Sequence, residues 1–402
     1  MLTTPPATGS TTVELDGVSY LAESIAKGAA YQLFSDSPAA GFEPNPQLGL
    51  PYRRVVHASE VELIAGPAPA TTDLPMRVPL SRAMSWISAH RLSQSRSSAN
   101  SPTLRHMRDS VTIDRGTRMV KILSARQLSG FLRGWLPMAF CHREYDIAHL
   151  RTPADLAVLS TDGRVESTAE VIFALRWRAA GPEDYAIPYS SAMPGLIDIP
   201  PHERVGAPVL GTGFAPSNQH LVPEFVTADM ADIPLSAHAE LVAFTADGAE
   251  VLLYHYLAEQ RAWGRLAGKQ WRHLWVDVDG VAAEQEYFPV PAAPTTLYGL
   301  VKDNPLEAVY DHPDGFMLLA KVRALRQPVA KPARRSPTVI WRDVRCMVVR
   351  DGDEWIRVRL IQPNPDALSD LGATCVERGV YEAWAPAGEI TERPDHWVPY
   401  DL

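Results

Sequence analysis

Cysteine is scarce in this chain: Cys141, Cys346 and Cys375 are the only three in 402 residues. An odd, dispersed set without Cys-x-x-Cys spacing excludes a disulfide framework and predicts reduced, buried thiols, with a single Cys346–Cys375 bridge as the open alternative. Long apolar runs are missing as well. No stretch approaches the ~20 residues that span a bilayer. The opening Met1-Leu2-Thr3-Thr4-Pro5-Pro6 lacks the basic and apolar regions of a cleaved signal peptide. The expectation is a cytoplasmic protein without a membrane span, export by a signal-independent route being left open. Positive charge is not in excess: 47 acidic against 38 basic residues give −9, which offers bulk nucleic-acid binding no support.

Complete chemical signatures are absent too. Gly211-Thr212-Gly213 follows Val209-Leu210, but neither GxGxxG nor GxxxxGK[ST] completes around it, so it reads as a turn. Gly-x-Ser-x-Gly does not occur, which argues against the usual hydrolase elbow. No HExxH or paired Cys/His spacing marks a zinc site. Cys141 and His142 are adjacent, and neighbours on a strand point to opposite faces. The sequence therefore predicts no cofactor, no metal and no catalytic residue that a motif singles out.

What is present is β-like. Apolar content of 46%, with 10 Trp, 13 Tyr and 10 Phe, suffices for several cores, while 35 prolines favour short strands and turns. Near its end the chain reads Tyr381-Glu382-Ala383-Trp384-Ala385-Pro386-Ala387-Gly388-Glu389-Ile390, and near its start Tyr52-Arg53-Arg54-Val55-Val56-His57-Ala58-Ser59-Glu60-Val61. Laid together without a gap, these put Tyr52 on Tyr381, Ala58 on Ala387, Glu60 on Glu389 and Val61 on Ile390. Upstream, Asp16-Gly17-Val18 meets Arg342-Asp343-Val344, and Leu48-Gly49 meets Leu371-Gly372. The expected fold class is mostly β (α+β), with SH3-like small barrels at both ends, residues 338–402 repeating residues 11–66.

Between them the expected order is a disordered leader at 1–10, a linker at 67–79, a basic, partly helical region at 80–160, a central antiparallel β module at 161–325 and a linker at 326–337. The linker at 326–337 is proline-interleaved, basic and without apolar periodicity. Within the basic region, helical spacing is read at 80–92 and a mobile serine-rich loop at 93–101. A strand or hairpin follows at 111–122. The second helix, at 124–135, has Leu128, Phe131, Leu132 and Trp135 on one face and Pro137 marking its end. Residues 80–135 hold ten basic residues against only Asp109 and Asp114, a balance of +8, so the remainder of the chain carries −17. Arg82, Arg91, Arg105, Arg108, Arg115 and Arg118 are thus candidate contacts for an acidic protein partner or an anionic ligand. The bland alternative is that they pack against the acidic remainder of their own chain.

The alanine-, arginine- and proline-rich composition resembles proteins of high-GC actinobacteria, an uncharacterised family of that group, and implies no residue roles. Arg176 and Arg178, Tyr189-Ser190-Ser191 and Glu284-Gln285-Glu286 are similar in order to the Arg, Ser-Thr-Ser and Glu-x-Glu elements of ADP-ribosyltransferases. That resemblance implies an arginine on a pyrophosphate and a glutamate on the acceptor. The expected function is a non-catalytic interaction protein, an adaptor or an immunity-type protein. Trp355, Tyr381, Trp384 and Trp397, beside Asp351, Asp353 and Glu354, are candidates for its aromatic shelf. The competing readings are an enzyme, with a site in the irregular stretch 190–222 or around Cys141, and anion or nucleic-acid binding through residues 80–135.

Overall fold

The structure, a computed structural model, describes residues 10–25, 30–44, 51–65, 78–79, 111–134, 139–165, 168–189, 192–217, 220–276, 278–282 and 285–402. Strands take 44% and helices 18%, so the class is mostly β. The chain divides into two compact units, residues 1–76 with 105–112 and residues 77–104 with 113–402. The helix read at 80–92, the loop at 93–101, most of the leader and residues 67–77 of the first linker lie outside the described residues.

The first unit is a six-stranded antiparallel sheet of β1 (Ser10–Leu15), β2 (Val18–Ile25), β3 (Ala30–Ser35), β4 (Glu43–Pro44), β5 (Tyr52–His57) and β6 (Glu62–Ala65), in the order β4-β5-β3-β2-β1-β6. Alternation along the strands drives it: Val13 and Leu15, Ala22, Tyr31 and Leu33, and Val56 form its buried core. Asp16 and Gly17 join β1 to β2 with φ of 53° and 79°, the two left-handed residues that a tight hairpin turn requires. A 3-10 turn, Ala58–Glu60, leads into β6, and the Glu60 carboxylate accepts the His57 backbone N–H at 3.2 Å.

The second unit begins with β7 (Val78–Pro79), β8 (Arg118–Leu123), β9 (Phe140–Arg143), β10 (Val171–Arg178) and β11 (Tyr185–Ala186). It continues with β12 (Phe214–Ser217), β13 (His220–Pro223), β14 (Phe225–Thr227), β15 (Glu240–Thr245), β16 (Glu250–Leu257), β17 (Ala262–Arg265) and β18 (Tyr287–Pro289). Nine of these form one sheet, β11-β14-β9-β8-β10-β15-β16-β17-β18, and β12-β13-β7 form another. The helix Ala125–Leu132 starts at a Ser124 cap closed by Gln127 and buries Leu128, Phe131 and Leu132. It ends at Leu132, short of the expected 135, where Gly134, at φ 89°, donates its N–H to the Phe131 carbonyl, and Trp135 lies outside the described residues. The stretch 190–222 is less irregular than its composition suggests: it holds the turn of helix Pro194–Ile197 and β12, and Leu196, Ile199 and Val209 enter the core.

The rest is a ten-stranded sheet: β19 (Thr296–Val301), β20 (Asn304–Asp311), β21 (Gly315–Leu318), β22 (Ala330–Trp341), β23 (Val344–Arg350), β24 (Trp355–Leu360), β25 (Thr374–Glu377), β26 (Val380–Pro386), β27 (Ile390–Glu392) and β28 (Asp395–Pro399). Its path is β21-β20-β19-β22-β23-β24-β26-β25, with β27 and β28 also paired to β22. This corrects the linker expected at 326–337, since residues 330–337 are strand. The inward positions there are polar and so mimic solvated chain: Arg334 and Ser336 are fully buried, and Arg334 Nε lies 2.8 Å from Asp184 Oδ1. Tyr400 donates its hydroxyl to the same carboxylate.

The final part of this sheet, β25-β26-β24-β23-β22-β27, has the same strand order as the first unit, and a 3-10 turn, Ala387–Glu389, precedes its last strand. Neither sheet closes into the expected barrel among the described residues, because the short last strand pairs only with the first. The C-terminal sheet is also no separate bead. Ala139, Phe140, Val226 and Met230 share its core, and Lys121 bonds Glu377 at 2.8 Å, both fully buried.

Candidate functional site

Strands β24 and β26 set Trp355 opposite Pro386, Arg357 opposite Trp384 and Arg359 opposite Glu382. Alternation then puts Trp355, Arg357 and Arg359 on one face together with Trp384 and Glu382, while Ile356, Val358 and Leu360 face the core. The face is graded. At one end Arg359 is fully buried, held by Glu382 at 2.8 Å and by Asp232 at 2.6 Å. Burial alone would lower its pKa, and these two carboxylates more than reverse that. At the other end Trp355 and Trp384 stand 50% and 51% exposed. Between them Arg357 leans on Glu382 at 2.5 Å.

Asp351, Asp353 and Glu354, all exposed, lead directly into Trp355. Arg393 pairs with Asp351 at 3.1 Å. No ion pair reaches Asp353 or Glu354 among the described residues. The other two aromatic candidates sit elsewhere. Tyr381 is a core residue whose hydroxyl pKa is pushed up by burial, and Trp397, on β28, packs against Tyr298 with ring centroids 5.9 Å apart and planes inclined at 52°.

Of the basic candidates, Arg82, Arg91, Arg105 and Arg108 lie outside the described residues. Arg115 is consumed internally. It donates to the carbonyls of Ala180, at 3.1 Å, and Asp401, and its guanidinium covers Phe316 at 5.2 Å. Arg118 pairs with Glu144 at 2.7 Å and Glu240 at 3.5 Å. Neither approaches the tryptophan face through any bond.

Cys141 is fully buried, and burial drives its thiol away from ionisation, so the thiolate that a nucleophile requires is disfavoured there. Cys346, pushed up to about 12 by burial, and Cys375 are free. Their strands β23 and β25 are separated by β24 and β26, too far for a disulfide. The ADP-ribosyltransferase-like elements are spread apart where described. Arg176 and Arg178 lie on β10, and Glu286 precedes β18 at the sheet edge with three strands between. Among the described residues no three His, Cys, Asp or Glu side chains converge as a metal site, and no helix is long and apolar enough to cross a membrane.

Sequence reasoning missed a cleft of about 250 Å³ lined by Arg118, Arg176, Trp177, Arg178, Ala237, His238, Glu240 and His312. Its only sequence signal was the spacing of Arg176 and Arg178, which places both on one face of a strand. Comparison with family models, curated proteins and solved structures returned no match.

Proposed function

We propose that this chain is a non-catalytic interaction protein, of the adaptor or immunity type, that holds an extended basic segment of a protein partner against Trp355 and Trp384. The two terminal modules support this reading, because we infer them to be copies of one SH3-like fold. With Tyr52 laid on Tyr381 and Val18 on Val344, the six core residues Val13, Leu15, Ala22, Tyr31, Leu33 and Val56 fall on Val339, Trp341, Val348, Ile356, Val358 and Ala385, all of them core residues. The ladders agree: Gln32 faces Val55 as Arg357 faces Trp384, and Leu15 faces Val18 as Trp341 faces Val344.

The outward face is not shared, and that single difference carries the proposal. Trp355 and Trp384 stand where the first module has Ala30 and a Val55 that is 57% exposed. The fold therefore does not require tryptophan at either place, and large exposed aromatics grouped on one face mark an interaction surface. Indole faces attract Lys and Arg cations, and Asp353 and Glu354 beside them, without an ion pair among the described residues, add the complementary charge.

The test replaces Trp384 by a photoreactive benzoylphenylalanine in the full chain and crosslinks it in source cells. One protein should be captured, through a segment containing Lys or Arg. Affinity for that protein, once it is purified, should fall about thirtyfold in Trp355→Ala, the order of a lost hot-spot tryptophan. Heterogeneous capture unaffected by Trp355→Ala would remove the proposal.

A further inference from the structure

We propose that the cleft between β10 and the end of β20 is a binding site for a small tetrahedral oxyanion of the phosphate-monoester class, with Arg178 as its principal ligand. The argument begins with a pair that the sheet should avoid. Arg178 sits directly opposite Arg118 in the β8–β10 ladder, and like charges facing each other across an antiparallel pair are destabilising. Trp177 alternates to the other side, so Arg118, Arg176 and Arg178 project on one face.

The carboxylates nearby do not resolve the conflict. Arg176 takes three of them, with Glu250 at 2.7 Å, Glu144 at 2.8 Å and Glu240 at 3.1 Å. Arg118 shares Glu144 and Glu240. The Arg178 guanidinium meets no carboxylate among the described residues. Its Nη1 donates to the Gly116 carbonyl at 2.8 Å, and only its backbone N–H bonds a side chain, Ser236 Oγ at 3.1 Å. Burial and the charge of Arg118 pull its pKa down, and the more distant Glu144 and Glu240 offset that only in part.

The surroundings are built to hold it in place. Gly116 turns at φ 85°, and a Cβ there would lie 2.6 Å from His312 Nδ1. The histidine therefore packs over the peptide whose carbonyl orients Arg178. His312 also lies 3.4 Å from the Tyr310 hydroxyl. Across the cleft, half-exposed His238 occupies a left-handed backbone position at φ 61°, its Nε2 3.9 Å from Asp311 Oδ1. The lining holds three arginines, two imidazoles and Glu240. Glu144, Glu240 and Glu250 are engaged by Arg118 and Arg176, which leaves Arg178 as the lining arginine without an ion pair among the described residues. The cleft is open to solvent and has room for a phosphate-sized anion. A planar guanidinium fork is matched to the oxygens of such an anion.

Inorganic phosphate and sulfate, titrated into the full chain by calorimetry at low and constant ionic strength, provide the probe. Saturable binding is expected. It should weaken about tenfold or more in Arg178→Gln, the order of one lost charge-assisted hydrogen bond, and tighten in Glu240→Gln. Thermal unfolding without phosphate gives the second readout. Relief of the Arg118–Arg178 repulsion should leave Arg178→Gln at least as stable as the parent, whereas an arginine with a purely structural role would lose stability. Equal binding by parent and Arg178→Gln, competition by chloride as strong as by sulfate, or no saturable binding would each overturn the assignment.

Discussion

Several residues in this protein are buried with their charge matched by a carboxylate. Arg334, Arg359 and Lys121 are all fully buried, and each reaches a carboxylate within 3 Å. Removing one partner of such a pair costs about 3–5 kcal/mol, because the other charge is stranded. His142 differs, since it is buried as a neutral ring. Its Nδ1–H donates to the Pro223 carbonyl at 2.9 Å, and burial pulls its pKa below the ordinary histidine value. The unfolded chain therefore takes up a proton that the folded chain refuses. The resulting penalty is absent well above a pH of about 6.5 and grows as pH falls through that value. His142→Gln keeps a donor for Pro223 but cannot titrate. Urea unfolding from pH 7 to 5 should show the parent losing more stability than the variant, and parallel losses would refute the assignment of a buried neutral imidazole.

At the scale of elements, β22 is the sharpest departure from the sequence reading. Its residues Arg334 and Arg335 would be prime tryptic targets in a linker, yet they sit in a strand paired on both sides by β19 and β28. Native-state trypsin digestion followed by mass spectrometry should find these bonds intact after other exposed basic sites have been cut. Early cleavage after Arg334 or Arg335 would contradict the strand. The contrast with the helix Ala125–Leu132 shows what a sequence makes legible. The apolar face is local and legible in its spacing, and the Ser124 cap with its Gln127 reply, equally local, came from the structure. In β22 the inward residues are arginine and serine, whose partners Asp184 and Tyr400 lie far away in sequence. The cleft escaped for the same reason, because Arg118, Arg178, His238 and His312 are unrelated until the strands pair. Trp384 was legible only halfway: superposing Tyr52 on Tyr381 located its position, and the exposure came from the fold.

For the whole molecule, the division into two units has a direct optical signature. None of the 10 tryptophans lies in residues 1–76 or 105–112, so tryptophan fluorescence reports the second unit alone, whereas far-ultraviolet circular dichroism reports both. Among the described residues the first unit's core cluster holds six buried apolar residues, and small cores are marginal. Denaturant titration should therefore give a dichroism transition that begins before the fluorescence transition. Coincident curves would mean that the two units unfold as one cooperative body.

The long strand β22 also limits how this chain can change. Its first half is laddered to β19 and β28 and its second to β23 and β27, so one continuous backbone sets the phase of two sheet segments at once. A point substitution disturbs one side chain, but a single inserted or deleted residue would turn every inward group of one half outward relative to the other. Arg334 would leave Asp184, or Val339 and Trp341 would leave their core. Related chains should therefore vary in side chain along β22 while keeping its length, and tolerate insertions in the loops at either end.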